Sequence, residues 1–246
     1  MIPEGQGVVL ELGCDSHFTL AMSELTDYTI VPQNSRNPFT GCENVESPTV
    51  TFSRKDSTQV SFRRELFDLE CDPYPYPDNS IDGVVCCEVL EHLVSDPVWM
   101  LHEVNRILKP GAWFLLTTPN LTSYHSIRRA ATGSHPLQHS MYFGGEKTHG
   151  LPIQHTREYA FWEVIELLKT TGFGITKKET HTFTQYEKLG WRDYLLLLPA
   201  IMAYNTLKLY HPKHLLLRYR LPNTLVLAKK ERVPQSRYPS NLYVQS

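Results

Sequence analysis

The run at residues 81–87, IDGVVCC, is almost uninterrupted in apolar residues and is followed at once by the charged stretch EVLEH. A strand with one face in water alternates apolar and polar positions, whereas a continuous apolar run of this length must be covered on both faces. An inner strand of a parallel sheet, with helices packed above and below, meets that demand. The rest of the chain supplies the other pieces. Residues 8–12 form a short apolar run ending in Gly13, HFTLAMSEL after it can form a helix, and residues 28–31 read as a second strand. Order returns at residues 64–68, and 112–118 reads as a strand. Between them, residues 88–93 read as helix, and SDP supplies an N-cap with Pro97 in the first turn of a second helix. Met100, Leu101, Val104, Ile107 and Leu108 then recur with helical period until KPG stops the helix. Residues 158–171 are amphipathic, with Phe161, Val164, Ile165 and Leu168 on one face and Gly172 as C-cap. Strands at 175–181 and 224–228 bracket a helical insert. This alternation gives a doubly wound α/β sheet with helices on both faces. Two stretches resist assignment: residues 32–60, a loop or small hairpin, and residues 119–155, a long loop with five histidines.

With 246 residues, 41% of them hydrophobic, the chain can bury a full core. The expected organisation is a main domain of residues 1–181 and 221–232, a helical insert or lid at 182–220, and a tail at 233–246. A formal charge of −2 argues against electrostatic binding of nucleic acid, which needs a cationic excess. The insert carries YLLLLPAIMAY, too short to span a bilayer and interrupted by Pro199. It is expected to pack as a lid or to rest on a membrane surface through residues 188–220. No secretory signal is visible at the N-terminus. Cys14, Cys42, Cys71, Cys86 and Cys87 lack metal-ligand spacing and are expected to be reduced thiols in a cytoplasmic protein.

In such a sheet ligands bind outside the carboxyl ends of the strands. Three of those ends are distinctive: VVLELGCDSH, LFDLE and VVCCEVLEH. Together with EVNRILKPGAWFLLTTPN and HTREY, in this order over residues 8 to about 175, they resemble the class I S-adenosylmethionine-dependent methyltransferases of the type 11 kind, especially those found with bacterial polysaccharide-biosynthesis genes. The resemblance implies a Rossmann-like, mostly parallel seven-stranded sheet and S-adenosylmethionine as cofactor. It places Glu11, Gly13 and Asp15 at the amino-acid end of that cofactor, Asp68 and Leu69 at the adenine, and Cys87 beneath the methionine. It also implies O-methylation of a sugar or glycan hydroxyl. The chain departs from the pattern as well. Asp15 and His17 stand where relatives have glycines, and Gln33 or Asn34 stands near the place of the acid that binds ribose. The helices that often precede the first strand in such proteins are expected to be absent. The rival reading is therefore a catalytically weak or inactive methyltransferase-like binding module.

The spacing of Glu88, Glu91 and His92 at i, i+3, i+4 would place all three on one face of a helix. A sugar hydroxyl is a poor nucleophile, and His92 is the candidate general base, with Glu88 and Glu91 beside it. The ExxEH pattern also resembles the metal motif of small-RNA 2′-O-methyltransferases and of ubiquinone-pathway O-methyltransferases. That likeness implies a divalent cation on Glu88, Glu91 and His92, completed by His155, with no metal as the competing reading.

Overall fold

The computed structural model describes residues 2–13, 18–34, 48–54, 56–95, 97–131, 133–136, 155–182 and 219–234. The insert beyond residue 182, the tail beyond 234, and Asp15, His17, Cys14 and Cys42 lie outside the described residues. Among the described residues no helix is long and apolar enough to cross a membrane, and Cys71, Cys86 and Cys87 are free thiols.

Among the described residues, nine strands and four helices make the framework. They are β1 (Gln6–Leu12), α1 (Phe18–Leu25), β2 (Asp27–Asn34), β3 (Thr49–Ser53), β4 (Gln59–Arg63), β5 (Glu65–Leu66) and β6 (Ile81–Cys87). After these come α2 (Pro97–Ile107), β7 (Leu108–Pro119), α3 (Tyr124–Ala131), α4 (Phe161–Thr170), β8 (Phe173–His181) and β9 (Asn223–Lys230). The main sheet has seven strands in the order β5-β2-β1-β6-β7-β9-β8. All neighbours from β5 to β7 pair in parallel, while β9 runs antiparallel to both β7 and β8. The Rossmann-like, mostly parallel sheet expected from the sequence is present.

The apolar run of β6 sits at the centre of that sheet, and its residues divide between two cores. Val84 and Cys86 join Leu10, Leu12, Phe114 and Leu116 beneath α2 and α4, whose Met100, Leu101, Val104, Val164, Ile165 and Leu168 complete the larger cluster. Val85 joins Val9, Trp113, Leu115, Leu225 and Leu227 on the other face, with Met22 of α1. Helices therefore cover both faces, and β6 is apolar from Gly83 onward because that part of the strand is covered on both sides, while Asp82 near its start pairs with Lys109.

Three local expectations change. Residues 88–93 do not form an α-helix: Glu88 adopts φ +54 and only a 3-10 turn, Leu90–His92, follows. A chain leaving β6 by a left-handed residue cannot enter a regular helix at once. The 119–155 stretch, read as loop, contains α3, whose start is fixed by Ser123 Oγ accepting from the Ser126 amide at 3.1 Å and donating to the Ser126 hydroxyl at 3.0 Å. Of the two readings for 32–60, the hairpin is correct, since β3 and β4 pair antiparallel and Phe52 packs on Leu20 of α1. KPG also differs: it lies in the first residues of β7 itself, where Gly111 turns the chain at φ +76.

β6 and β7 approach closely at one point. A Cβ built on Gly83 would lie 2.3 Å from Cε2 of Trp113, whose indole donates to the Tyr28 hydroxyl at 3.2 Å. Gly83→Ala is expected to lower stability by about 1–3 kcal/mol through overpacking. Urea unfolding measures it, and an unchanged midpoint and slope would contradict the packing described.

Candidate functional site

The carboxyl ends of β1, β2, β5 and β6 converge, and hydrogen bonds hold them together. Gln33, wholly buried at the end of β2, accepts from the Gly13 amide at 3.0 Å and donates to the Phe67 carbonyl at 2.7 Å. Its amide thus joins the ends of β1 and β5 instead of being turned toward a ligand. Gly13 has φ +68, and a Cβ there would lie 2.4 Å from Cγ2 of Val89. Only glycine fits between the end of β1 and the turn after β6.

Glu11 is buried at the end of β1 and accepts a short hydrogen bond from the Thr19 hydroxyl of α1. Burial pushes its carboxyl up to about 7, against the lowering effect of Thr19. Asp68 is half-buried after β5, its Oδ1 accepting from the Glu70 amide at 2.8 Å while its own amide donates to Asp72 Oδ2 at 2.8 Å. Leu69 is 5% exposed and packs in the larger core, so its side chain is structural and only its backbone is available to a ligand. Cys87 is half-buried at the end of β6, its thiol pushed up to about 12 by burial despite a bond with Thr117.

The acid and histidine group is assembled differently from the sequence expectation. Glu88 is exposed and its Oε1 accepts from the Thr117 hydroxyl at 2.7 Å. Glu91 is fully buried: Oε2 accepts from the Thr118 hydroxyl at 2.8 Å, whereas Oε1 has no hydrogen-bond partner among the described residues and lies 3.9 Å from His92 Nε2. The rings of His92 and His155 meet edge-on with centroids 4.9 Å apart. One ligand atom from each of Glu91, His92 and His155 lies within 4.8 Å of the others, close enough for all three to hold one cation. Glu88 stands outside this group, because the left-handed turn replaces the helical face on which the four-ligand expectation rested. The backbone carbonyl of Glu91 accepts from the amides of Thr156 and Arg157, which brings His155 to the turn.

The sequence reading missed Glu158. It is 2% exposed, and its Oε1 lies 2.9 Å from His155 Nδ1. Its signal was present in HTREY, where the acid follows the histidine by three residues. Beside it, Tyr159 is core and Arg157 lies on the surface over its ring at 5.0 Å.

The fold has known counterparts. Residues 10–116 match the methyltransferase domain family. The chain is 37% identical over 101 residues to a Mycolicibacterium smegmatis protein named probable S-adenosylmethionine-dependent methyltransferase, a match covering 41% of this chain and 32% of that one. The chain thus spans about a third of the length of that curated relative. Among solved structures, a SAM-dependent methyltransferase from Archaeoglobus fulgidus superposes with a TM-score of 0.55 at 18% identity, covering 92% of this chain and 87% of its own. A chain of the complex between the Haloferax volcanii Trm112 methyltransferase activator and its methyltransferase gives 0.53 at 15% identity, covering 94% and 86%. At such identities the likeness is one of fold. The fold is shared with solved S-adenosylmethionine-dependent methyltransferases, and the matched residues take in the carboxyl end of β1 and the whole of β6.

The Glu91 carboxyl is pushed up to about 8, first by burial and then by the neighbouring Glu88 carboxylate. Folding therefore takes up a proton between 4.5 and about 8, so this group's penalty is absent below 4.5 and grows as the pH rises through that window. In protein stripped of divalent cations, Glu91→Gln is expected to be more stable than wild type at pH 9, with the gap closing toward pH 5. Thermal unfolding across pH measures it; a midpoint gain of at least about 2–4 °C corresponds to 1 kcal/mol in a chain of this size. A variant less stable than wild type at pH 9 would contradict the burial of an uncompensated acid.

Proposed function

We propose that the protein is an S-adenosylmethionine-dependent O-methyltransferase whose acceptor is a hydroxyl of a sugar or glycan, of the kind assembled into cell-surface polysaccharide. The observation that carries this reading is the Glu91 carboxylate, buried beside His92 and His155 at the strand end next to the cofactor positions. A neutral hydroxyl must be oriented and must lose its proton as it is methylated. His92, with a side chain 20% exposed, is reachable from solvent; it is the base where no cation is bound and a ligand where one is.

The residues present fit the cofactor. Gly13 makes the tight turn at φ +68 that lets backbone come close to a ligand, Glu11 offers a buried carboxylate to a cationic group, and Asp68 stands half-buried at the adenine position. Glu11, Gly13 and Asp15 hold the amino-acid end, Asp68 and the Leu69 backbone the adenine, and Cys87 forms the floor. When bound, S-adenosylmethionine supplies an electrophilic methyl group on a sulfonium. A ligand cation near Glu11 restores the charge that burial suppresses there. The binding-module alternative is not favoured, because the matched domain is a methyltransferase domain.

A divalent cation also fits, since Glu91 Oε1 lacks a protein partner among the described residues and two imidazoles lie beside it. Glu91, His92 and His155 would hold it, with Glu88 remaining on Thr117. Bound there, a cation lowers the pKa of a coordinated oxygen and fixes its position. Around it, Thr118 and the Glu91 backbone hold the ligands in place.

The test is transfer of labelled methyl from S-adenosylmethionine to a panel of glycans and nucleotide-linked sugars. Label is expected on a sugar oxygen, and exhaustive chelation is expected to abolish transfer. Full turnover after chelation would assign His92 as a metal-free base. Label appearing only on nitrogen, carbon or sulfur acceptors would contradict the reading.

A further inference from the structure

The carboxylate of Glu158 has no place in the ExxEH pattern, yet it is among the most deeply buried acids of the described residues, and one of its oxygens meets an imidazole. It lies just before α4, and the neighbouring Tyr159 bridges to Asn120 at the end of β7, so its backbone is fixed by the sheet. Its Oε1 is 2.9 Å from His155 Nδ1, with the His155 side chain 8% exposed and that of Glu158 fully covered. An ionised carboxylate only accepts, so Nδ1 must carry the proton and the lone pair of the ring falls on Nε2. His155 also meets the His92 ring edge-on, which brings it into the group with Glu91.

We infer that Glu158 is a positioning residue that acts through His155: it fixes the ring and its tautomer so that Nε2 is the nitrogen offered to a divalent cation held with Glu91 and His92. The inference rests on the cation reading of the site given above. A carboxylate on the far nitrogen of a metal-bound histidine holds the ring and raises its strength as a ligand. Glu158 thereby takes a part in the site that the sequence pattern assigned to Glu88, whose side chain is committed to Thr117. The site then has three protein ligands and one supporting acid, which leaves coordination positions for acceptor oxygens.

The experiment titrates metal-free protein with Mn²⁺ by calorimetry, using wild type, Glu158→Gln, His155→Ala and the double variant, each checked for folding by thermal unfolding. Wild type is expected to bind one equivalent, Glu158→Gln to bind about 10- to 100-fold more weakly, and the double variant to bind no more weakly than His155→Ala. Non-additivity of this kind shows that Glu158 acts through His155. Equal affinity of wild type and Glu158→Gln would overturn the inference while leaving the cation site standing. No Mn²⁺ binding by wild type would overturn the cation reading itself. Long-range ¹H–¹⁵N spectra of the metal-free protein read the ring directly: His155 is expected as the Nδ1-protonated tautomer in wild type and as a mixture in Glu158→Gln. An unchanged tautomer in the folded variant would overturn the hold of Glu158 on the ring.

Discussion

Burying Glu91 without a cation costs on the order of several kcal/mol unless the group takes up a proton or a positive charge arrives, and the surrounding elements are arranged about that one carboxylate. Thr118 of β7 donates to one oxygen, and the other is left toward His92. The backbone of the same residue ties down the segment that carries His155 and Glu158. Burial, then the Glu88 carboxylate and in smaller measure that of Glu158, have pushed Glu91 up to about 8. Such groups concentrate where ligands bind.

A second constraint lies at the end of β1. Gly13 must pass close to Val89, and its partly buried amide needs an acceptor. Gln33 provides that acceptor and spends its other end on Phe67, so one side chain fixes the relative positions of three strand ends. The absence of an acid at this position, which looks like a loss of ribose binding in the sequence, is accompanied by a gain in the rigidity of the loop floor. Asp68 is held in a similar manner through Glu70 and Asp72. The strand ends proposed to hold the cofactor therefore rest on a stitched backbone, and the proposed acceptor side rests on the turn after β6.

Most of the fold was legible because it is written in period and burial. The run at β6 has no polar face, α2 and α4 show helical stripes, and β9 and β8 end the chain of alternation. What was not legible came from single-residue geometry. No pattern in VCCEVLEHL announces that Glu88 takes a left-handed conformation, yet that one torsion removes the helix and moves Glu88 out of the group formed by Glu91, His92 and His155. The start of α3 depends on a serine cap in a stretch with little apolar content. Glu158 was overlooked because its three-residue spacing from His155 becomes a contact only when the segment before α4 turns its carboxylate onto Nδ1 of that ring.

The central claim is that the ends of β1, β5 and β6 form an S-adenosylmethionine site despite the altered glycine loop. Titration calorimetry with S-adenosylhomocysteine, comparing wild type with Asp68→Ala, tests it most directly. Wild type is expected to bind at one site, and Asp68→Ala is expected to keep its fold while losing about 1.5–3 kcal/mol of binding free energy, the contribution of a hydrogen bond to a charged group. Absence of binding heat for folded wild type, or equal affinity for the two proteins, would contradict the account.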